Sequence, residues 1–168
     1  MFETEQLAAL GVLDRVLERH AVDYWLFGGW AVDFHVGATT RQHADLDVAV
    51  WGSDQTTLAE VLRTEGWTHT PAPDEDGSTR YERGDVRLEV AFIERDEDGK
   101  VYTPLQEGGR AWWAAGAFGD EVRQLRGVRA RVIGLQALIG EKSAAQHDAT
   151  TTAKDRADLA VLAGLADR

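Results

Sequence analysis

Apolar positions along the chain change period several times, and each change marks an element. Leu7, Leu10, Leu13 and Leu17 recur every three or four residues, which predicts a helix from Thr4 to about His20. The run Tyr24–Phe27 reads as a short strand, broken by Gly28-Gly29, and Trp30–Val36 as a short helix ending near Gly37. After the polar stretch Ala38–Ala44, residues Asp45–Trp51 alternate. Asp45, Asp47 and Ala49 lie on one face and Leu46, Val48 and Val50 on the other, as in a strand with one buried face. Ser53 is placed to cap a helix that buries Leu58, Val61 and Leu62 and stops at Gly66.

Pro71–Ser78 reads as a loop. Arg80–Arg83 and Val86–Ile93, joined by Gly84-Asp85, predict a hairpin. In its second strand Val86, Leu88, Val90 and Phe92 share one face, and Arg87, Glu89 and Ala91 the other. An acidic turn, Glu94–Gly99, leads to a short strand near Val101. Beyond Pro104 come Trp112-Trp113, a glycine-containing segment, a strand at Val128–Val132, and two helices, Leu135–Ala145 and about Lys154–Leu165. The expected organisation is an α+β core over 1–105, a mixed sheet flanked by helices, followed by a mainly helical part over 106–168 packed on it.

Composition narrows the function. The 168 residues carry 18 Lys+Arg against 29 Asp+Glu, a net charge of −11, which argues against phosphate-backbone binding to nucleic acid and suits a cationic small molecule or a carboxylate-held metal. The absence of cysteine excludes disulfides, thiolate nucleophiles and sulfur-ligated metals. The first twenty residues are acidic and amphipathic, unlike a signal peptide, and no apolar stretch approaches the ~20 residues of a membrane span. A cytoplasmic protein that stays off membranes is expected.

The chemistry-bearing residues cluster in Phe27–Asp33 and Arg41–Asp47. Carboxylates two apart on a strand, Asp45 and Asp47, project from one face with Cα atoms roughly 6.5–7 Å apart. They repel each other, and Mg²⁺, which takes one or two carboxylates and fills its shell with water and phosphate oxygens, would relieve the repulsion. The same alternation also suits a solvated strand face. Gly28-Gly29, between a strand and a helix, would let backbone N–H groups approach phosphate, or simply form a tight turn.

Glu89 is the third carboxylate. If its strand pairs with Asp45–Val50, it would lie beside the two aspartates, to complete a metal site or accept a proton from an attacking hydroxyl. Arg41 and Lys142 could offset phosphate charge. His43 is read as a loop-fixing hydrogen-bond partner in preference to a metal ligand, and His35 as the polar end of its helix. Lys154 fits either the same electrostatics or a solvated surface, Asp155 and Asp158 a favourable charge near a helix start, and Trp112 and Trp113 core packing. The acids at Glu94, Asp96, Glu97 and Asp98 read as a solvated turn.

Taken together, G-G-W-A-V-D (28–33), R-x-H-x-D-L-D-V (41–48) and L-E-V (88–90) resemble the nucleotidyltransferase superfamily that includes DNA polymerase beta. More narrowly the chain is similar to the small antibiotic O-nucleotidyltransferases acting on lincosamides and aminoglycosides, which share the tryptophan after the glycine pair. The segment Lys154-Asp-Arg-Ala-Asp-Leu159 matches a K-D-x-x-D-L helix start common in these enzymes.

The resemblance implies the nucleotidyltransferase fold, with Asp45 and Asp47 holding Mg²⁺ and the nucleoside triphosphate, ATP above others, and Gly28 and Gly29 contacting phosphate. Glu89 would complete the acidic triad and act as base for the hydroxyl of a small, cationic antibiotic. Small relatives often pair, so a homodimer is expected. Two other readings remain at this stage: a transferase acting on protein or tRNA in a toxin–antitoxin setting, and a non-catalytic nucleotide-binding or antitoxin module.

Overall fold

The computed structural model describes residues 2–73, 75–145 and 153–166. Helix α1 (Phe2–Arg19) buries Leu7, Leu10, Leu13 and Leu17, the four residues whose spacing announces it. Strand β1 (Tyr24–Phe27) runs directly into α2 (Gly28–Val36), so both glycines belong to the helix and Phe27 is its N-cap. The glycine pair opens the helix, as its place after a strand suggests, and the helix starts at Gly28, two residues before the expected Trp30. A positive φ of 71° at Gly28 supplies the sharp turn that a separate loop would otherwise make. Every residue of α2 from Gly28 to His35 is buried, as its lack of a polar face requires. The helix ends at Gly37, whose left-handed backbone lets its N–H donate to the Asp33 carbonyl at 2.8 Å.

Strand β2 (Leu46–Trp51) lies inside the main sheet, with a strand paired on each side. It is followed by a 3₁₀ turn over Gly52–Asp54, then α3 (Gln55–Thr64), β3 (Thr68–His69), β4 (Ser78–Arg83) and β5 (Val86–Arg95). Ser53 therefore sits inside the 3₁₀ turn and does not cap α3; Asp54 is at the N-cap, without a side-chain cap bond. The strands are ordered β1-β2-β5-β4-β3. β2 runs parallel to β5, and the β1–β2, β5–β4 and β4–β3 pairs are antiparallel.

β6 (Val101–Pro104) continues the sheet from the end of β5, and β7 (Arg110–Trp112) pairs with β6. β8 (Val122–Leu125) and β9 (Val128–Arg131) form a separate hairpin, after which come α4 (Leu135–Ala145) and α5 (Ala153–Ala166). The β6–β7 pairing crosses residue 105, and 106–134 contains three strands before the helices begin. None of the described helices is long and apolar enough to cross a membrane.

One face of the sheet carries Tyr24, Leu26, Leu46, Val48, Val50, Leu88 and Val90, all buried, with α1 tied on by a 2.7 Å hydrogen bond from the Tyr24 hydroxyl to Asp14. The opposite face carries Trp25, Phe27, Asp47, Ala49, Glu89 and Ala91. It is not the open polar face that the alternation of β2 suggests. Ala49 is fully buried, because Trp113 and Phe118 lie over this side, with edge-to-face ring contacts of 5.2 Å from Phe27 to Trp113 and from Trp25 to Phe118. The polar surface is thereby confined to the end where Asp47 and Glu89 stand.

Candidate active site

The parallel pairing of β2 with β5 sets Asp47 directly opposite Glu89, and the antiparallel pairing of β4 with β5 sets Arg80 opposite Glu89 on the other side. Residues in direct register share a face, so three charged side chains from three strands line up in a row. Asp45 immediately precedes β2, two residues from Asp47 and on the same side. The neighbourhood is strongly acidic. Burial, then the charges of Asp45, Glu141 and Glu89, push the Asp47 carboxyl well above its ordinary range, with Lys142 opposing. Burial also raises Glu89, to about 7, reinforced by Glu75 and Asp45 and opposed by Arg80.

The glycine pair fits against these groups from the other side. A Cβ at Gly28 would collide with Asp47 Oδ2, and one at Gly29 would collide with His43 Nδ1 and lie 2.7 Å from Arg41 Nη2. Asp47, His43 and Arg41 therefore surround the N-terminus of α2, whose dipole and unpaired N–H groups favour negative charge. Gly28→Ala adds both the collision and an unfavourable left-handed backbone. We expect it to cost about 1–2 kcal/mol in backbone strain alone and to displace Asp47; urea unfolding and turnover measured on the same preparation will show both losses together.

The polar loop before β2 is held by a buried network. His43 Nε2–H donates to Asp33 Oδ2 at 2.6 Å, and Asp33 Oδ1 accepts from the Thr40 N–H and hydroxyl at 3.1 and 2.6 Å. The His43 carbonyl accepts from Gln6 Nε2, and Gln6 Oε1 accepts from the Trp30 indole, so α1, α2 and the loop share one set of bonds. His43 thus has the loop-fixing position expected of it. His35 is not a polar helix end: it is buried, burial lowers its pKa, and its Nε2–H donates to the Ile133 carbonyl at 2.8 Å.

Of the other sequence-selected residues, Lys142 is 9% exposed and lies 3.1 Å from Asp158, so it is no solvated surface lysine. Asp158, 2% exposed, likewise does more than cap a helix start: Arg41 donates to it through Nε and Nη2, both at 2.9 Å. Trp113 packs against Phe27 and Phe118, whereas Trp112 is 53% exposed beside Tyr102 and is not core. In the acidic turn Asp96 accepts from the Asp98 and Lys100 N–H groups, which gives it a turn-forming role. The side chains of Lys154 and Asp155 lie outside the described residues. A cavity of about 660 Å³ bordered by Asp96, Lys100, Trp112 and Trp113 contains neither Asp47 nor Glu89.

Three contributors go beyond the sequence reading: Glu75 and Glu141 are absent from it, and Asp158 enters it only as a charge near a helix start. Glu75, in the loop before β4, adds its charge to the rise at Glu89. Glu141 acts on Asp47, and Asp158 gathers Arg41 and Lys142. Only Asp158 leaves a trace in the sequence, as an acid four residues before the fully buried Leu162 and hence on the packed face of its helix. Among the described residues no three carboxylate or imidazole groups are already grouped as metal ligands. The charge pattern nevertheless fits a divalent cation at Asp45 and Asp47: two carboxylates crowded by further acids, with Asp47 lifted in pKa by burial and by those charges, are what a hard cation would relieve. Glu89, raised to about 7 by burial and by the charges of Glu75 and Asp45, fits proton transfer better than ligation.

Comparison with known proteins bears on the fold and the family. The lincomycin-bound lincosamide antibiotic adenylyltransferase LnuA superimposes with a TM-score of 0.71 at 22% identity, over 92% of this chain and 93% of that one. ANT(2'')-Ia in complex with adenylyl-2''-tobramycin gives a TM-score of 0.76 at 17% identity, over 95% and 88%. A nucleotidyltransferase-like protein of Thermotoga maritima gives 0.62 at 12%, over 88% of each chain. These likenesses establish the mixed-sheet nucleotidyltransferase fold. Among curated protein sequences none matches. The model of one family, aminoglycoside-2''-adenylyltransferase, matches residues 9–162, which takes in α2, β2, β5 and most of α5, and the chain belongs to that family of nucleotidyltransferases.

Proposed function

We propose that this protein transfers AMP from ATP to a hydroxyl of a small cationic antibiotic, an aminoglycoside or a lincosamide, and releases pyrophosphate. The observation that carries this reading is the register of β2 and β5, which stands Glu89 beside Asp47, itself packed against the N-terminus of α2. Family membership supports the choice of nucleotide and acceptor. The fit of ANT(2'')-Ia and LnuA, which bear adenylyl-tobramycin and lincomycin, is in keeping with it. The net charge of −11 favours a cationic acceptor.

In this reading Asp45 and Asp47 hold Mg²⁺, which when bound supplies charge neutralisation for the triphosphate. The N-terminus of α2 faces the phosphates, with Gly28 and Gly29 allowing close approach. Arg41 and Lys142 add positive charge. Glu89, unprotonated, takes the proton of the acceptor hydroxyl. The oxygen bonds to the α-phosphorus, the bond to the bridging oxygen breaks, and pyrophosphate leaves. Glu75 and burial keep Glu89 basic enough for that task near neutrality.

Incubation with MgATP and a panel of aminoglycosides and lincosamides tests the proposal. One panel member should gain the mass of an AMP group, with pyrophosphate released in equal amount. Adenylylation of tRNA or cell protein with no antibiotic modified would move the assignment to a toxin–antitoxin type of transferase. No transfer to any acceptor would leave a nucleotide-binding module.

A further inference from the structure

Arg41 comes from the loop before β2, Lys142 from α4 and Asp158 from α5, yet their charged groups meet at one point. Arg41 grips the Asp158 carboxylate in a two-pronged contact, 2.9 Å at each prong, and Lys142 Nζ lies 3.1 Å from Oδ2. The Asp158 side chain is 2% exposed. Burial works against its charge, but the bonds from Arg41 and Lys142 outweigh that and keep its carboxyl below the ordinary range.

The same two cations reach the opposite side of the cluster. Arg41 Nη2 lies over Gly29 at the N-terminus of α2, and Lys142 acts on the charge of Asp47. The contacts thus run from Asp47 to the glycine pair, to Arg41, to Asp158 and to Lys142, whose charge acts in turn on Asp47. An ion pair that served only to dock α5 would not need its cations at the carboxylate site.

We propose that Asp158 is a positioning residue of the nucleotide site, through which the last helix holds Arg41 and Lys142 oriented toward the phosphates. The proposal rests on the reading of the site as one for a nucleoside triphosphate. Its physical basis is preorganisation. Arg and Lys side chains lose much rotamer freedom when fixed, and a partner that fixes them beforehand spares the ligand that cost. The carboxylate does not touch the reacting atoms; it acts through the two cations.

The test compares Asp158→Asn and Asp158→Glu with wild type in steady-state kinetics and in the thermal shift produced by MgATP. The Asn variant should raise the KM for ATP by about 10- to 100-fold, the range seen when an outer-sphere partner of a ligating group is lost. Its kcat and the KM for the acceptor should stay within about threefold. The MgATP-induced shift should shrink accordingly, and the Glu variant should recover most of both. An Arg41→Ala/Asp158→Asn double variant should raise the ATP KM by less than the product of the two single effects, because part of the Asp158 effect passes through Arg41 and the remainder through Lys142.

An unchanged or lowered KM for ATP, equal losses for nucleotide and acceptor, or additive single effects would each overturn the proposal. So would loss of folding in both single variants, read by circular dichroism without nucleotide, which would make Asp158 a structural residue. If wild type itself shows neither a MgATP shift nor pyrophosphate release, the nucleotide reading fails first. A wild-type shift that Asp158→Asn leaves intact removes only the role given to Asp158.

Discussion

Asp47→Asn should reduce nucleotide transfer by about 10³-fold or more while raising the melting temperature of the ligand-free protein. Both effects come from the same crowding. The Asp47 carboxyl is pushed well above its ordinary range by burial and by Asp45, Glu141 and Glu89. A carboxyl whose folded-state pKa lies above its unfolded value costs stability once pH rises past the unfolded value, because the folded state binds the proton more tightly. At neutral pH the charged side chain is therefore a liability to the folded chain, and an amide of the same shape removes it.

Asparagine is the better probe than alanine here. It keeps the side chain that fills the space beside Gly28, so a rise in stability can be read without a cavity effect. The charge is nevertheless what would hold the cation and the triphosphate, so activity should fall. Scanning calorimetry without nucleotide and turnover with MgATP, on the same preparation, check the two signs. A variant that keeps full activity would remove Asp47 from the site, and one that loses activity and stability together would mean that the carboxylate is structural.

How far this site can be read from the sequence depends on whether its residues are joined by local periodicity or by distant contact. Asp47 and Glu89 are both visible because each stands in the polar phase of a clean alternation with apolar residues, and alternation fixes the face a strand residue takes. Their pairing is conditional on adjacency of β2 and β5, which the register then provides. The glycine pair is visible as a break, but its reason, contact with Asp47, His43 and Arg41, is a tertiary fact.

Asp158 meets Arg41 across 117 positions, a separation at which no spacing rule operates. Glu75 sits in a loop without periodicity. The short strands β7 and β8 are fully or mostly exposed, so they show neither an apolar stripe nor a buried alternation. Residue type alone sends Trp112 to the core, whereas β7 turns it outward and its neighbour Trp113 takes the half-buried position against Phe27. The roof formed by Trp113 and Phe118 likewise has no signature in β2, which is why Ala49, on the face that alternation leaves open, is fully buried.

Glu89→Gln should lower kcat by about 10²- to 10⁴-fold, the usual contribution of a positioned base, and should abolish the acidic limb of the pH–rate profile. In wild type Glu89 is raised to about 7 by burial and by Glu75 and Asp45. As base it must be unprotonated, so kcat/KM should rise with pH through about 7 and level off above it. The amide that replaces it has nothing to titrate, and the residual rate of the variant should be flat over the same interval. The stability trend runs the other way. Between the ordinary carboxyl range and about 7 the folded state holds a proton that the unfolded chain has released, so wild type should lose stability as pH rises across that window. The Gln variant should lose less. Activity and melting temperature measured from about pH 5 to 8 on both proteins therefore give two curves of opposite slope from one side chain. Replacing Glu75 by Gln removes the charge that most reinforces burial at Glu89, so it should move both midpoints to lower pH without deleting either transition. A profile whose acidic limb survives in Glu89→Gln would assign the base to another group.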